Sequence, residues 1–149
     1  MDNPQDLTSF LAPYPPEVRT LVLEGRQFLL DLLSPVNEFH FDATAAVCAG
    51  FGYTVKVREV FVNLATFANH VTLVFQWGVR LNDPAKRLSG EGNQVRHLRL
   101  IDGMETLRDP YVLELIQQAS DAAPRSSEPF VPTVIVKLYQ GPKRRPTTA

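Results

Sequence analysis

The stretch that decides the fold runs from Val60 to Trp77 and consists of the residues VFVNLATFANHVTLVFQW. β-Branched and aromatic residues fill most positions on either side of Ala68-Asn69, a composition typical of neighbouring strands. We therefore predict an antiparallel hairpin that turns at Ala68-Asn69 and forms the centre of a sheet. Its apolar side should face helices, whereas its other side should face solvent or a partner. That second side carries Asn63, His70, Thr72 and Gln76.

Apolar residues at three-to-four spacing predict helices before and after the hairpin. Pro16 suits the first turn of a helix that ends at Leu33, and Gly25 on its apolar stripe suggests the close approach of a partner element. A final helix should begin at Asp109-Pro110 and end near Ala123. Shorter helical segments are predicted at two further places, Asp6 to Ala12 and Asp83 to Leu88.

Three further strands are predicted from runs of β-compatible residues, namely Ala43 to Ala49, Val95 to Ile101 and Val131 to Tyr139. His40 and Asp42 would lie on one side of a short extended segment at a solvated edge. Two such side chains do not make a zinc site, because zinc takes at least three ligands from a protein.

These elements predict an α+β fold, a two-layer sandwich in which an antiparallel sheet carries its helices on one face. The domain should cover residues 1–123, followed by a linker and an additional edge strand over 124–140. We expect the basic, proline-rich tail over 141–149 to be disordered. A chain of 149 residues is the size of one ordinary domain with one core.

Composition and charge narrow the functional classes. The net charge is -1 at pH 7, and the positive residues include Lys143, Arg144 and Arg145 in the tail. Because the rest of the chain has no basic stripe, we do not expect nucleic acid as a partner. We expect a cytoplasmic protein without a membrane span, since no apolar run approaches about 20 residues. The single Cys48 is predicted to be a buried small hydrophobe rather than a reactive thiol.

Five segments are characteristic of a known family: FLAPYPPEVR (10–19), AAVCAGFG (45–52), FANHVTLVF (67–75), LNDP (81–84) and GEGNQVRHLRL (90–100). These segments and their order resemble those of the YdhG-like family of domains of unknown function, over roughly residues 8–122. The resemblance implies a compact two-layer α+β fold of the general type also seen in secretion chaperones. Some relatives are described as iron chaperones by analogy with frataxin, and most have no assigned activity.

Metal binding of the frataxin kind uses a row of exposed carboxylates. The first predicted helix offers Glu17, Glu24 and Asp31, which are spaced seven residues apart. That spacing puts them on one face but separates neighbours by roughly 10 Å, too far to share one ion. We therefore predict no metal site and no cofactor.

The candidate binding residues surround the loop that precedes the basic strand. Gly90 and Gly92 with Asn93 could present backbone N–H groups to an anion, although glycines in a loop more often serve a turn. Arg96 and His97 would supply charge, and His70 would join from across the sheet. Arg96 and His97 point to opposite faces, so His97 is the one predicted to share a site with His70.

The function predicted on these grounds is a non-enzymatic binding or interaction domain that acts as a monomer or homodimer. Its partner would be a small anion or a protein, bound at the polar sheet face and the glycine loop. The alternative is a small-anion or iron-handling protein of the iron-chaperone type. No catalytic residue is predicted, because neither His70 nor His97 has a Ser, Cys or carboxylate placed beside it. Trp77 is interpreted as core or core rim rather than as a platform for ligand stacking.

Overall fold

The computed structural model of the chain describes residues 4–139 and 142–147. Within these residues, four helices and six strands are joined by loops and two short 3-10 turns. The helices are α1 (Pro4–Leu11), α2 (Pro16–Leu33), α3 (Met104–Arg108) and α4 (Pro110–Ala122). The strands are β1 (Asn37–Asp42), β2 (Val47–Gly52), β3 (Val62–Thr66), β4 (Val71–Phe75), β5 (Arg96–Arg99) and β6 (Val134–Leu138). The 3-10 turns are Val57–Glu59 and Gly78–Arg80. None of the described helices combines the length and apolar character needed to cross a bilayer.

The strands form one sheet in the order β5-β4-β3-β2-β1-β6. The first five are antiparallel neighbours, whereas β6 runs parallel to β1 at the edge. The two-layer α+β sandwich is confirmed, but the sheet is mixed rather than wholly antiparallel. The prediction failed on this point because the alternation of residues in a strand carries no information about the direction from which it joins an edge.

The predicted hairpin is confirmed as the pair β3 and β4. Leu64 pairs with Leu73 in the middle of the ladder, and the Phe67 N–H donates to the His70 carbonyl at 2.9 Å to close the turn. On the face that was expected to be polar, Thr72 is buried and Asn63 is half-buried, so this part of the sheet is less open to solvent than predicted.

Both long helices pack on the same face of the sheet. Val22 and Leu29 of α2 belong to one buried cluster with Leu115 and Ile116 of α4, together with the inward residues of β2, β3 and β4. The Tyr53 hydroxyl joins the two helices directly, since it lies 2.7 Å from Ser120 Oγ on α4 and 3.4 Å from the carbonyl oxygen of Leu33 on α2.

Gly25 confirms the close approach that its position on the helix predicts. A Cβ atom added there would lie 3.0 Å from Leu64 Cδ1. The glycine therefore lets α2 lie close against β3, at the cost in helix propensity that an interior glycine carries.

The helix signals at Asp109-Pro110 and Asp83-Pro84 had different outcomes. Asp109 accepts a hydrogen bond from the Tyr111 N–H at 2.9 Å, and α4 begins at Pro110 as predicted. After Asp83 there is only a turn at residues 84–85, so the predicted helical segment there is wrong. The Asp83 carboxylate nevertheless accepts from the N–H groups of Arg87 and Leu88. It also accepts from the Tyr111 hydroxyl, and these bonds favour a loop over a helix.

The strand predicted over Ala43 to Ala49 is displaced in the structure. Residues 43–46 form the turn between β1 and β2, and the segment around His40 is an interior strand. The solvated-edge interpretation of His40 is therefore wrong, because β6 covers the edge of β1 and His40 is fully buried.

A second, smaller apolar cluster lies on the sheet face opposite the helices. Phe39, Phe41 and Val60 form it, with Cys48 and Ile135 packed against them. Burial raises the pKa of the Cys48 thiol to about 12, in keeping with the interpretation of this cysteine as a small hydrophobe.

The described residues of the predicted tail lie beside the end of β1. Residues 142–147 of the predicted tail contact the turn after β1, where the Arg144 N–H donates to the Thr44 carbonyl at 2.8 Å. Residues 141, 148 and 149, on which the rest of the disorder prediction falls, lie outside the described residues.

Candidate functional site

A backbone carbonyl group of the glycine loop (Gly90–Asn93) accepts a hydrogen bond from the Arg96 side chain. Arg96 Nη1 donates to the carbonyl oxygens of Gly92 and Val95, each at 2.8 Å. Gly90 has a φ of 134°, a conformation for which glycine is suited. Arg96 is thus engaged within its own loop, and the Gly90–Asn93 segment serves a turn between Ser89 and His97, whose backbones pair across it.

The predicted partners His70 and His97 are not brought together. His97 pairs with Val74, and His70 precedes Val71 at the other end of β4. Four residues along a strand correspond to about 13 Å. The pairing register places Arg99, not His97, nearer to His70, because Arg99 pairs with Thr72. Local alternation indicates the face of a residue but not this register.

His70 lies in a small groove instead. Its ring stacks on Phe67 with a centroid distance of 4.9 Å, and its Nδ1 lies 2.9 Å from Asn69 Oδ1. Partial burial lowers the pKa of His70, and the charge of Arg99 lowers it further. Glu17 also lines the groove, so the lining carries both signs of charge.

A buried ionic cluster that the sequence did not predict joins α2 to β1. Glu38 Oε1 accepts from Arg26 Nη2 at 2.9 Å, and Glu38 Oε2 accepts from Arg26 Nε and lies 2.8 Å from His40 Nε2. Burial by itself would raise the pKa of Glu38, but the hydrogen bonds from His40 and Arg26 hold it below its ordinary value. Among the described residues, no partner is found for His40 Nδ1. The three side chains are almost wholly buried, which assigns the cluster to holding the two layers together.

A cleft opens where β4 ends. After Phe75 the chain passes through Trp77 and the 3-10 turn at Gly78–Arg80, which brings the Arg80 guanidinium 4.3 Å from the centre of the Trp77 ring. Gly78 is required here, because a Cβ atom would lie 2.8 Å from the Arg96 backbone nitrogen. The last turn of α4 and Pro124 form the opposite wall, and the enclosed volume is about 660 Å³.

The cleft is lined by apolar surface with charges at its rim. Apolar contacts come from Phe61, Phe75, Trp77, Leu81, Ala119, Ala122, Ala123 and Pro124, and polar ones from Arg58, Glu59, Arg80, Gln118 and Asp121. Trp77 is 39% exposed, a value that places it at the core rim and leaves part of its ring open to the cleft.

Two of the polar groups are already engaged. Glu59 Oε1 accepts from Thr54 Oγ1 at 2.7 Å, and Gln118 Oε1 accepts from the Asn82 N–H at 2.7 Å. Arg58 makes no hydrogen bond or ion pair with any residue that the structure describes. Its guanidinium is thus available to an anionic group beside an aromatic surface.

This arrangement suits recognition of a flat apolar molecule that carries a negative charge. Among the described residues, the lining includes no His, Cys, Ser, Thr, Tyr or Lys, and its acidic side chains are Glu59 and Asp121. The sequence signal that could have found the site is the single tryptophan at a strand end with an arginine three residues later.

Metal binding and similarity to known proteins give no further assignment. Within residues 4–139 and 142–147, no group of three or more His, Cys, Asp and Glu side chains could hold a metal ion. Comparison with protein-family models, curated proteins and solved structures finds no match to the chain.

Proposed function

We propose that this domain binds a small molecule with a flat apolar ring and an anionic group in the cleft beside Trp77, without catalysing a reaction on it. The observation that carries the proposal is the partly exposed Trp77 ring, held under Arg80 at the edge of a cleft whose lining includes Phe61 and Phe75. Ligand pockets commonly enclose about 300–1,000 Å³ and combine apolar walls with a few placed polar groups.

The apolar part of the ligand would lie against Trp77 and Phe61. Stacking of aromatic rings favours offset or edge-to-face contacts, and an arginine over a tryptophan face adds about 0.5–1 kcal/mol at an exposed site. Because Arg80 already fixes one side of the Trp77 ring, the platform is organised before a ligand arrives. That organisation reduces the entropy lost on binding.

The anionic part would be bound by Arg58. A guanidinium offers two parallel donors to a carboxylate, sulfonate or phosphate. The carboxylates of Glu59 and Asp121 at the same rim disfavour ligands with several negative charges, so a single anionic group fits best. Carboxylates on aromatic or other flat apolar bodies are the expected class.

The test uses 8-anilinonaphthalene-1-sulfonate, which combines flat aromatic rings with one sulfonate. Trp77 is the only tryptophan in the chain, so binding in the cleft should quench its fluorescence and transfer energy to the probe. Arg58→Gln should weaken binding about tenfold, the size expected for losing a charge-assisted hydrogen bond. The matched control is Arg108→Gln, since Arg108 lies on α3 and makes only an exposed contact with Glu105.

A second variant fills the cleft without removing a charge. Ala122 lines the cleft from the exposed end of α4, so Ala122→Phe should occupy the space and abolish energy transfer. Equal probe affinity for the parent chain, Arg58→Gln and Ala122→Phe would place the bound probe elsewhere and overturn the proposal.

We propose further that the resemblance to the YdhG-like family reflects a shared fold rather than iron handling. The motif FANHVTLVF supports this, because it spans the turn of the central hairpin and the whole of β4. No described residue set favours the iron-handling alternative. The single, partly buried Cys48 is compatible with the reduced cytoplasmic setting that we propose.

A further inference from the structure

The C-terminal strand is attached to the rest of the domain by a single edge. β6 pairs only with β1, from Glu38–Val134 to Asp42–Leu138. No side chain of β6 is fully buried, and those of Lys137 and Leu138 are exposed. Its backbone ladder therefore contributes more to its attachment than side-chain burial does.

The domain nevertheless needs a strand at this edge. Phe39 is fully buried and Phe41 is nearly so, and Ile135 of β6 packs on their cluster. Tyr139 adds a ring contact with Phe41 at a centroid distance of 6.5 Å. Without an occupant, β1 would present unpaired backbone groups and an uncovered aromatic cluster, a known basis for strand addition.

An ionic cluster, here called the latch, joins the residues after β6 to the end of β1. It consists of Asp42 of β1 and of Lys143 and Arg145 in the tail. Arg145 forms an ion pair with the Asp42 carboxylate, its side chain is only 3% exposed, and its Nε donates to the Ala43 carbonyl at 2.7 Å. Lys143 Nζ donates to the Asp42 carbonyl at 2.9 Å. The latch recognises an extended segment in which basic residues follow a β-strand.

The linker between α4 and β6 is anchored at both ends. Arg125 Nη1 donates to the carbonyl oxygens of Ser120 and Ala123 at its start. At its end, Phe130 packs against the main core and the Thr133 N–H donates to Asn37 Oδ1 at 2.9 Å. Residues 124–133 contain no helix or named strand, and three of them are prolines, Pro124, Pro129 and Pro132. Residues 126–129 between these contacts are exposed, and four extended residues at about 3.1 Å each span roughly 12 Å. Residues 126–129 can act as a hinge, so that Phe130, Thr133 and β6 move together to a neighbouring molecule.

We propose that the β1 edge accepts the C-terminal segment of a second copy as well as its own, so that two chains exchange β6 and form a closed dimer. Every contact of β6 and of the latch is retained when the donor is another chain, because Phe130 and Thr133 move with the strand and Arg125 stays with its own domain. Reciprocal exchange of an identical element is a low-cost route to a symmetric dimer. This surface is separate from the Trp77 cleft, so the two proposals can fail independently.

Attachment within one chain competes with exchange. A short linker gives its strand an effective concentration in the millimolar range, so the parent chain should be monomeric at micromolar concentration and dimeric only when concentrated. A pair of variants that cannot form the latch within one chain should shift this balance strongly toward exchange.

The test reverses the latch charges in two separate full-length chains. Asp42→Arg places like charges together in one chain, and Arg145→Asp does so in the other. Mixed, each chain offers the segment that the other needs, since Arg145 meets Asp42 in one half of the dimer and the reversed pair forms in the other half. We expect a 1:1 heterodimer by native mass spectrometry and light scattering at tens of micromolar, with affinity at least about tenfold above that of either variant for itself.

One control tests whether the effect depends on charge pairing. The chain carrying both substitutions restores the latch internally and should remain monomeric, which shows that the effect depends on charge pairing. If the folded single variants stay monomeric when mixed, the segment does not exchange and the proposal is overturned.

A measurement on the parent chain covers the case in which a single variant does not fold. Equal amounts of ¹⁵N-labelled and unlabelled chain are unfolded together and refolded at millimolar concentration. Dimers of mixed mass that dissociate slowly on dilution support exchange, whereas monomer alone contradicts it.

Discussion

Glu38 shares one carboxylate between the Arg26 guanidinium and the His40 imidazole. Removing one member of a buried charged group leaves the others unsatisfied, which typically costs about 3–5 kcal/mol. We therefore expect Glu38→Gln to lower the free energy of unfolding by that order at pH 7, measured by urea denaturation. Glu24→Gln on the exposed side of the same helix is the control and should be nearly neutral.

The same residue sets a pH dependence. Because the pKa of Glu38 lies below its ordinary value of 4.5, its ionised form stabilises the fold at pH values above 4.5. That contribution is lost as the pH falls through the lower pKa of the folded state. Between pH 5 and pH 3, the parent chain should therefore lose more stability than Glu38→Gln does. Parallel losses in the two chains would contradict the role assigned to Glu38.

The sequence pattern failed to predict the surroundings of residues whose partners lie on distant elements. The segment FHFD (39–42) has the alternation of an exposed edge, because charged side chains are rarely buried unless paired. The neighbouring Glu38 is buried because it pairs with Arg26. Arg26 lies on α2, and no local sequence pattern links it to Glu38. The Trp77 cleft was missed for a similar reason, since its walls come from β4 and from α4, which are far apart in the chain.

At the scale of elements, Gly78 determines how the 3-10 turn beside Trp77 packs on β5. A Cβ atom at Gly78 would lie 2.4 Å from Arg96 Cβ and 2.8 Å from the Arg96 backbone nitrogen. Relief of such a contact requires backbone movement, so Gly78→Ala should destabilise the fold by about 1–3 kcal/mol. It should also shift the fluorescence of Trp77, which the turn holds under Arg80.

Gly92 provides the matched control. A Cβ atom there meets nothing within 4 Å, so Gly92→Ala should change the free energy of unfolding by no more than about 0.5 kcal/mol. Thermal melts of the two variants distinguish a packing requirement from a general intolerance of alanine. A neutral Gly78→Ala would mean that the turn and β5 are not in the close contact described.

Elements defined by short-range pattern were predictable, whereas their long-range pairings were not. The hairpin of β3 and β4 and the helix starts at Pro16 and Pro110 follow from residues within a few positions of each other. The parallel pairing of β6 and the register that separates His70 from His97 are set by contacts distant in sequence. The predicted anion site depended on that register.

On the scale of the whole molecule, the two faces of the sheet differ in composition and cover. One face carries the helices and the main core, and the other carries the small cluster around Phe39 and Phe41. The Trp77 cleft lies between the end of β4 and the last turn of α4. A binding site at the boundary of two layers is a common arrangement.

The most direct test of the proposed binding site is a ¹H–¹⁵N NMR titration of the full chain with 8-anilinonaphthalene-1-sulfonate. The single tryptophan gives one indole N–H signal. That signal therefore detects binding in the cleft of the unmutated chain. We expect that signal to shift together with the amides of Phe61, Ala119 and Ala122, while the amides of Gly90 to Asn93 remain unchanged. Shifts confined to Gly90–Asn93 and His70, with the Trp77 indole unmoved, would contradict a site in the cleft and place binding at the glycine loop instead.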